Sequence, residues 1–242
     1  RFFFASLLCL CLINFTANAA LKLPSIFTDH MVLQRDLENP IWGWDAPGTQ
    51  VSVTLSDLTE HTLAGKDGRW VVKLPALPAT ALGFEILVES ENGSVVVSDV
   101  LVGEVWVCSG QSNMQWSVLQ SYDADLAITA ANYPSIRMIS IPQIGTQVLQ
   151  DDFRGAWQRC SPETVGKFSA VGYYFGLQLY QTLGVPIGLI DNAWGGSAAE
   201  AWVDRSILEA DGRFESYIAH WEKQETVFNY EASLASWQQR VD

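Results

Sequence analysis

Val105-Trp-Val-Cys-Ser-Gly-Gln-Ser-Asn-Met-Gln-Trp116 runs apolar for four residues, breaks into Ser-Gly-Gln-Ser-Asn, and closes on Met and Trp. The apolar start completes a longer run, Val100-Leu-Val-Gly-Glu-Val-Trp-Val107. A strand covered on both faces has this near-continuous apolar character, whereas a half-solvated strand alternates. The stretch therefore predicts a buried strand that ends near Cys108, a tight turn at Gly110, and a helical segment from about Ser112. A serine is left at the tip.

Downstream, the same rhythm repeats. Ile136-Arg-Met-Ile-Ser-Ile141 reads as a second strand. Phe168 to Leu183 reads as a helix, with Val171, Phe175 and Leu179 at i, i+4 and i+8 and Leu183 next. Gly184 and Pro186 form a stop signal before Ile187-Gly-Leu-Ile190, a third strand. Strand and helix in alternation predict a parallel sheet with helices on both faces. Arg205 to Val241 reads as mostly helical, with Trp221, Phe228, Leu234 and Trp237 as its apolar anchors.

Upstream, the period changes to two. Val51-Ser-Val-Thr-Leu55 and Trp70-Val-Val-Lys-Leu74 alternate, and Phe84-Glu-Ile-Leu-Val-Glu89 is a further run of strand formers. Turn signals at Ala46-Pro-Gly48, Lys66-Asp-Gly68 and Glu91-Asn-Gly-Ser94 separate them. Short strands at such spacing predict a small antiparallel sandwich. Asn92-Gly93 marks a hairpin. Asn92-Gly-Ser94 is also a glycosylation sequon, and the turn explains the same residues. The fold class expected is α/β: a β-sandwich-like domain over residues 20–100, then a parallel-sheet domain over 101–242.

Residues 1–19 read differently. Arg1 precedes the apolar run Phe2 to Phe15, and Ala17-Asn-Ala19 supplies a small-residue cleavage site. This is the pattern of a secretory signal peptide. The run is about 14 residues, against the ~20 that span a bilayer. Export is expected, to a secreted or periplasmic location, or a lysosomal or extracellular one in a eukaryotic host, with no membrane attachment after cleavage. A net charge of −13 repels phosphate backbones and argues against a nucleic-acid partner. Cys108 and Cys160 remain beyond the leader, and either a disulfide or two buried thiols fits them. His30, His61 and His220 have no metal-ligand spacing, so no metal or other cofactor is expected.

The chemistry converges on two strand-to-helix turns. Ligands of open α/β sheets sit outside the carboxyl ends of the strands. Ser112 follows one such end, where backbone N–H groups at a helix start stabilise a developing anion. That suits a nucleophile whose attack creates an oxyanion, although Ser112 as a simple helix cap fits the same spacing. The second turn is Ile190-Asp-Asn-Ala-Trp-Gly-Gly-Ser-Ala-Ala-Glu200. Ser197 and Glu200 have capping-box spacing, which predicts a helix just after Ser197. Gly195 and Gly196 let a substrate approach the backbone, and their N–H groups can supply further oxyanion donors.

Gly110-Gln-Ser-Asn-Met114 resembles the nucleophile block of the sialate O-acetylesterase family, a branch of the SGNH (GDSL-like) hydrolases. The likeness extends to Asp29-His-Met-Val-Leu-Gln-Arg35, Trp42-Gly-Trp44, Asp67-Gly-Arg-Trp70, Val102-Gly-Glu-Val-Trp106, Phe168-Ser-Ala-Val-Gly-Tyr173, Val185-Pro-Ile-Gly188 and Trp194-Gly-Gly-Ser197. It covers about residues 23 to 205. The resemblance implies a flavodoxin-like hydrolase sheet, with Ser112 as nucleophile and the Ser112 and Gly196 N–H groups as oxyanion donors. Gln111 and Asn113 would shape the elbow. Trp116 and Trp194, flanking the turns, can stack on a sugar ring, and core packing fits at least one of them equally. Glu200 is accounted for by the capping box.

The family also implies an Asp-x-x-His segment carrying the base, and a Gln-Gly-Glu-Ser-Asn-like block carrying an oxyanion asparagine. Neither is present in residues 1–242, and none of the three histidines has Asp three residues before it. The expectation is a truncated, incomplete hydrolase domain whose His and Asp lie further along, the fragment alone being inactive. The implied reaction is serine-dependent removal of O-acetyl groups from a sugar or glycan through an acyl-enzyme. A non-catalytic glycan-binding protein or an envelope structural module is the rival. A lipase or peptidase fits less well, because Met114 stands where a Gly-x-Ser-x-Gly elbow needs its second glycine.

Overall fold

The computed structural model describes residues 20–146 and 148–241, and the expected leader, 1–19, lies outside them. Two compact units are formed, the first ending at Gly195 and the second beginning at Gly196.

The first unit contains, in chain order, strands β1 (Val32–Gln34), β2 (Asn39–Trp44), β3 (Gln50–Leu55), β4 (Leu58–Leu63), β5 (Arg69–Leu74), β6 (Thr80–Ser90) and β7 (Gly93–Gly110). Helix α1 (Ser112–Gln115), helix α2 (Ala124–Ala130), strands β8 (Tyr133–Ser140) and β9 (Gln158–Cys160), helix α3 (Ala170–Leu183) and strand β10 (Ile187–Ala193) follow. The alternating segments become antiparallel strands. β5 buries Trp70, Val72 and Leu74 and exposes the residues between them. With Val51, Val53 and Leu55 of β3, Ile86 and Val88 of β6 and Ile41 of β2, these side chains build one core. β2 and β5 pair with each other as a separate small antiparallel sheet, and Lys22 bridges to Trp44 at the end of β2.

β7 determines the architecture. It pairs antiparallel with β6 through Gly93 to Val102, parallel with β1 through Leu101 to Gly103, and parallel with β10 through Glu104 to Gly110. The sheet therefore runs β4-β3-β6-β7-β10-β8-β9 without interruption, β1 lying beside β7. The division expected at residue 100 falls in the middle of this strand. The hairpin before it turns on Glu91 and Asn92, because Ser90 pairs with Gly93. Asn92 Nδ2 donates to Asp45 Oδ1 at 2.7 Å and to Thr49 Oγ1 at 3.2 Å.

The parallel part of the sheet is covered unequally. Cys108, Met138 and Leu189 face a second core with Val118, Phe168, Ala170 and Tyr173, and residues of α1, α2 and α3 pack around it. The opposite face is closed by the sandwich core, which takes in Ile139 and Ile190. Helices on both faces were expected; in this unit the β-domain occupies the second face. Among the described residues, Glu104–Gly110 has a ladder partner on one side only. Trp106 and Val107 are exposed there, and Trp106 meets Phe175 edge to face at 5.1 Å. Cys108 and Cys160 are buried free thiols.

The second unit comprises a 3-10 turn (Ala199–Trp202) and helices α4 (Arg205–Ala210), α5 (Glu215–Val227) and α6 (Tyr230–Val241). Asp204 and Asp211 cap helical turns by accepting the N–H groups of Ser206 and Arg213. The capping box expected at Ser197 and Glu200 is not formed: the 3-10 turn has Ala198 at its N-cap, and Ser197 Oγ instead accepts Trp202 Nε1–H at 2.8 Å. Trp221, Phe228 and Trp237 are exposed rather than buried anchors. No described helix is long and apolar enough to cross a membrane.

Candidate active site

The elbow after β7 is built by its backbone. Gly110 turns the chain at φ +147, a region that residues with a Cβ rarely enter. Gln111 then holds an N-cap position, and its carbonyl accepts the N–H groups of Met114 and Gln115, each at 3.0 Å. α1 is a single turn of four residues, because the chain leaves the helix at Trp116, with φ −54 and ψ 118. Ser112 is the first helical residue. First-turn N–H groups have no acceptor within the helix, and the Ser112 amide has no hydrogen-bond partner among the described residues. Gln111, Ser112 and Asn113 are all exposed. The Ser112 hydroxyl forms no hydrogen bond to any described residue.

Ser169 carries this turn from beneath. It is fully buried, its hydroxyl donates to the Met114 carbonyl at 2.5 Å, and it accepts the Gly172 N–H at 3.0 Å as the N-cap of α3. The Ala170 N–H donates to the Trp116 carbonyl at 2.7 Å. The elbow is thus fastened to the start of α3.

The turn after β10 lies directly against it. The β7–β10 ladder ends with Gly110 opposite Ala193, and the Trp194 N–H donates to the Gly110 carbonyl at 2.8 Å. The Gly195 N–H donates to Gln115 Oε1 at 2.5 Å. A Cβ on Gly195 would stand 2.6 Å from Gln115 Oε1 and 3.3 Å from Ser112 Cα, so a larger residue would displace Gln115 and crowd the serine. Gly195 was expected to offer a free N–H for an oxyanion; the structure commits that proton to Gln115. Gln143 Nε2–H donates to the Ala193 carbonyl at 2.9 Å and holds the same turn from the other side. Trp116 and Trp194 are exposed, at 53% and 38%, and Trp116 Nε1–H donates to the Gln120 carbonyl. Gly196 is the first residue of the second unit, with φ +79.

Asp191, at the carboxyl end of β10, was not anticipated. In register with Cys108 and Ser140, it lies on the helix-covered face. Burial pushes its carboxyl up to about 6, with the Ser140 hydroxyl and the Ala193 backbone only partly opposing this. Its sequence signal, an acid within an otherwise apolar strand end, was available. Burial also pushes the Cys108 thiol up to about 11, helped by Asp191, which makes it a poor nucleophile. Of the described histidines, His30 Nδ1 pairs with Asp99 Oδ2 at 2.7 Å, and none hydrogen-bonds Ser112. Among the described residues, no group of three or more His, Cys, Asp or Glu is arranged to hold a metal ion.

No family model matches the chain. It is 36% identical over 218 residues to the sialate O-acetylesterase of Homo sapiens and 38% identical over 220 residues to that of Pongo abelii, each match taking in 81% of the chain. The sialate O-acetylesterase of Mus musculus is 36% identical over 229 residues, 85% of the chain. The chain spans 41% of the length of the first two relatives and 42% of the third. Among solved structures, a carbohydrate acetylesterase from Xanthomonas citri superposes with a TM-score of 0.75 at 37% identity, covering 80% of this chain and 44% of that one. The mixed sheet, the separate small antiparallel sheet and these relatives agree, and over 81% of its length the chain is similar to sialate O-acetylesterases.

Proposed function

We propose that this chain is the Ser112-bearing part of a serine esterase that removes O-acetyl groups from carbohydrates. The observation that carries the reading is the elbow: an exposed serine hydroxyl, without a hydrogen-bond partner among the described residues, at the carboxyl end of β7 and backed by the Gly195 turn. The names of the relatives and of the solved neighbour support the same class of reaction.

Ser112 Oγ attacks the acetyl carbonyl while a base takes its proton. The tetrahedral oxyanion that forms lies beside the Ser112 N–H, which α1 leaves unpaired. Collapse expels the sugar oxygen, which leaves protonated, and an acetyl-enzyme remains. Water, deprotonated by the same base, releases acetate and restores the serine. The family resemblance implies a histidine as that base, and none of the described histidines hydrogen-bonds Ser112. The exposed Trp116 and Trp194 provide flat apolar surfaces suited to a sugar ring, and the leader pattern in residues 1–19 supports a secreted or periplasmic location.

The test is acetate release from O-acetylated sugars by the full-length gene product and its Ser112→Ala variant. Loss of the nucleophile should lower kcat by roughly a thousandfold or more. Turnover at the original rate would place the chemistry elsewhere.

A further inference from the structure

Gln115 ends α1, and its side-chain oxygen accepts the N–H of a residue 80 positions away, Gly195. Backbone pairing between β7 and β10 stops at Gly110 and Ala193, and the Trp194 N–H reaches back to the Gly110 carbonyl. Gly195 is the next residue, and Gln115 supplies the acceptor that the sheet no longer provides. The contact is close on every side. A Cβ on Gly195 would meet Gln115 Oε1 at 2.6 Å, Ser112 Cα at 3.3 Å and Ser112 Cβ at 3.4 Å. The Gly195 backbone therefore rests against the carbons of the serine and against the Gln115 amide at once.

We propose that Gln115 is a positioning residue, which fixes the Gly195 backbone against Ser112 and so sets the room beside the serine hydroxyl. The proposal rests on Ser112 being the nucleophile. An N–H has one proton, and that of Gly195 is spent on this anchor rather than on an oxyanion. Without the acceptor, the turn after β10 is free to drift from the elbow. A displacement of about 1 Å at a reacting centre costs on the order of a hundredfold in rate.

Two variants separate anchoring from bulk. Gln115→Met keeps the length and removes the acceptor; Gln115→Glu keeps both. Exchange of the Gly195 amide, followed by NMR in the 242-residue chain, should be roughly tenfold faster in Gln115→Met and near the original rate in Gln115→Glu. In the full-length gene product, Gln115→Met should lower kcat by roughly 10- to 100-fold with KM changed less than about threefold, and Gln115→Glu should recover part of that loss. Unchanged Gly195 exchange in Gln115→Met, or an unchanged kcat, overturns the proposal. If the unsubstituted full-length product releases no acetate, the esterase reading fails by itself, and amide exchange still decides whether Gln115 is the anchor.

Discussion

Asp191 sits where β10 ends, with Oδ1 buried and unpartnered among the described residues and Oδ2 3.4 Å from the Ser140 hydroxyl. Burial disfavours the charged form, and the Ser140 hydroxyl and the Ala193 backbone only partly restore it. The consequence for stability has a definite sign. A carboxyl raised from 3.8 to about 6 binds its proton more readily in the folded chain. Folding is therefore favoured below the ordinary value, loses ground as the pH rises from 3.8 through about 6, and carries the full penalty above that. Asp191→Asn removes the charge and keeps the shape. It should stabilise the chain at pH 7.5 by roughly 1–2 kcal/mol and have little effect at pH 4. Urea unfolding midpoints at the two pH values measure this; an equal difference at both would show that Asp191 does not titrate in this range. Residues differed in how far the sequence revealed them. The place of Ser112 just after the end of β7 was legible because a serine following an apolar strand is a local pattern. The Gln115–Gly195 bond was not, because spacing along the chain says nothing about which distant N–H a side chain meets.

β7 connects the two halves of its sheet through a change of partners at Gly103. Up to that residue the strand runs beside β1, with Gln34 opposite Gly103; from Glu104 it runs beside β10. The handover is crowded. The Gly103 carbonyl accepts the Arg35 N–H at 2.8 Å, and the Glu104 N–H donates to the Pro186 carbonyl at 2.9 Å. Gln34 Oε1 accepts the Val105 N–H at 2.8 Å, so the edge that β1 vacates is partly closed by a side chain. A Cβ at Gly103 would fall 1.9 Å from the Pro186 carbonyl oxygen, and the backbone there cannot yield without breaking these bonds. Gly103→Ala should cost about 3 kcal/mol or more, and a thermal midpoint within a degree of the original would refute the argument. At this scale the strands were read well wherever period or composition was strong, as in β3, β5 and β10. What escaped was the length of β7. A rhythm change at residue 100 looks like a domain boundary, yet one strand carries both halves, and its continuously buried stretch is Val100 to Gly103, with Trp106 and Val107 exposed beyond it. The helices of the second unit were found, but aromatic spacing was taken for burial, and Trp221, Phe228 and Trp237 are exposed.

The largest ionic cluster of the first unit ties together segments that are far apart in sequence. Asp99, in the left-handed region at φ +55, accepts hydrogen bonds from Arg159 and pairs with His30 and Arg137, each at 2.7 Å. Arg137 is itself buried on β8, and its guanidinium also donates to the carbonyls of Pro134, His30 and Asp99. One carboxylate thus joins β7, β8, β9 and the segment before β1. Burial alone would raise the Asp99 carboxyl, but the bonds from Arg137, Arg159 and His30 outweigh it and hold the group well below the usual carboxylate range. Its pH dependence is opposite to that of Asp191. A carboxyl depressed in the folded state stabilises fully above its ordinary 3.8 and loses that contribution as the pH falls below it. Asp99→Asn preserves tolerance of the left-handed backbone and leaves Arg137 buried without its counter-charge. Removing one partner of a buried pair is far more damaging than never having had the pair, by roughly 3–5 kcal/mol. Because Asp99 is partly solvated, the expected loss at pH 7 is nearer 2–3 kcal/mol. The gap between variant and original should narrow between pH 4 and pH 2 as the carboxyl of the original is titrated. Guanidinium unfolding across that range tests it: a constant gap would mean that the cluster is held by the shape of Asp99 rather than by its charge.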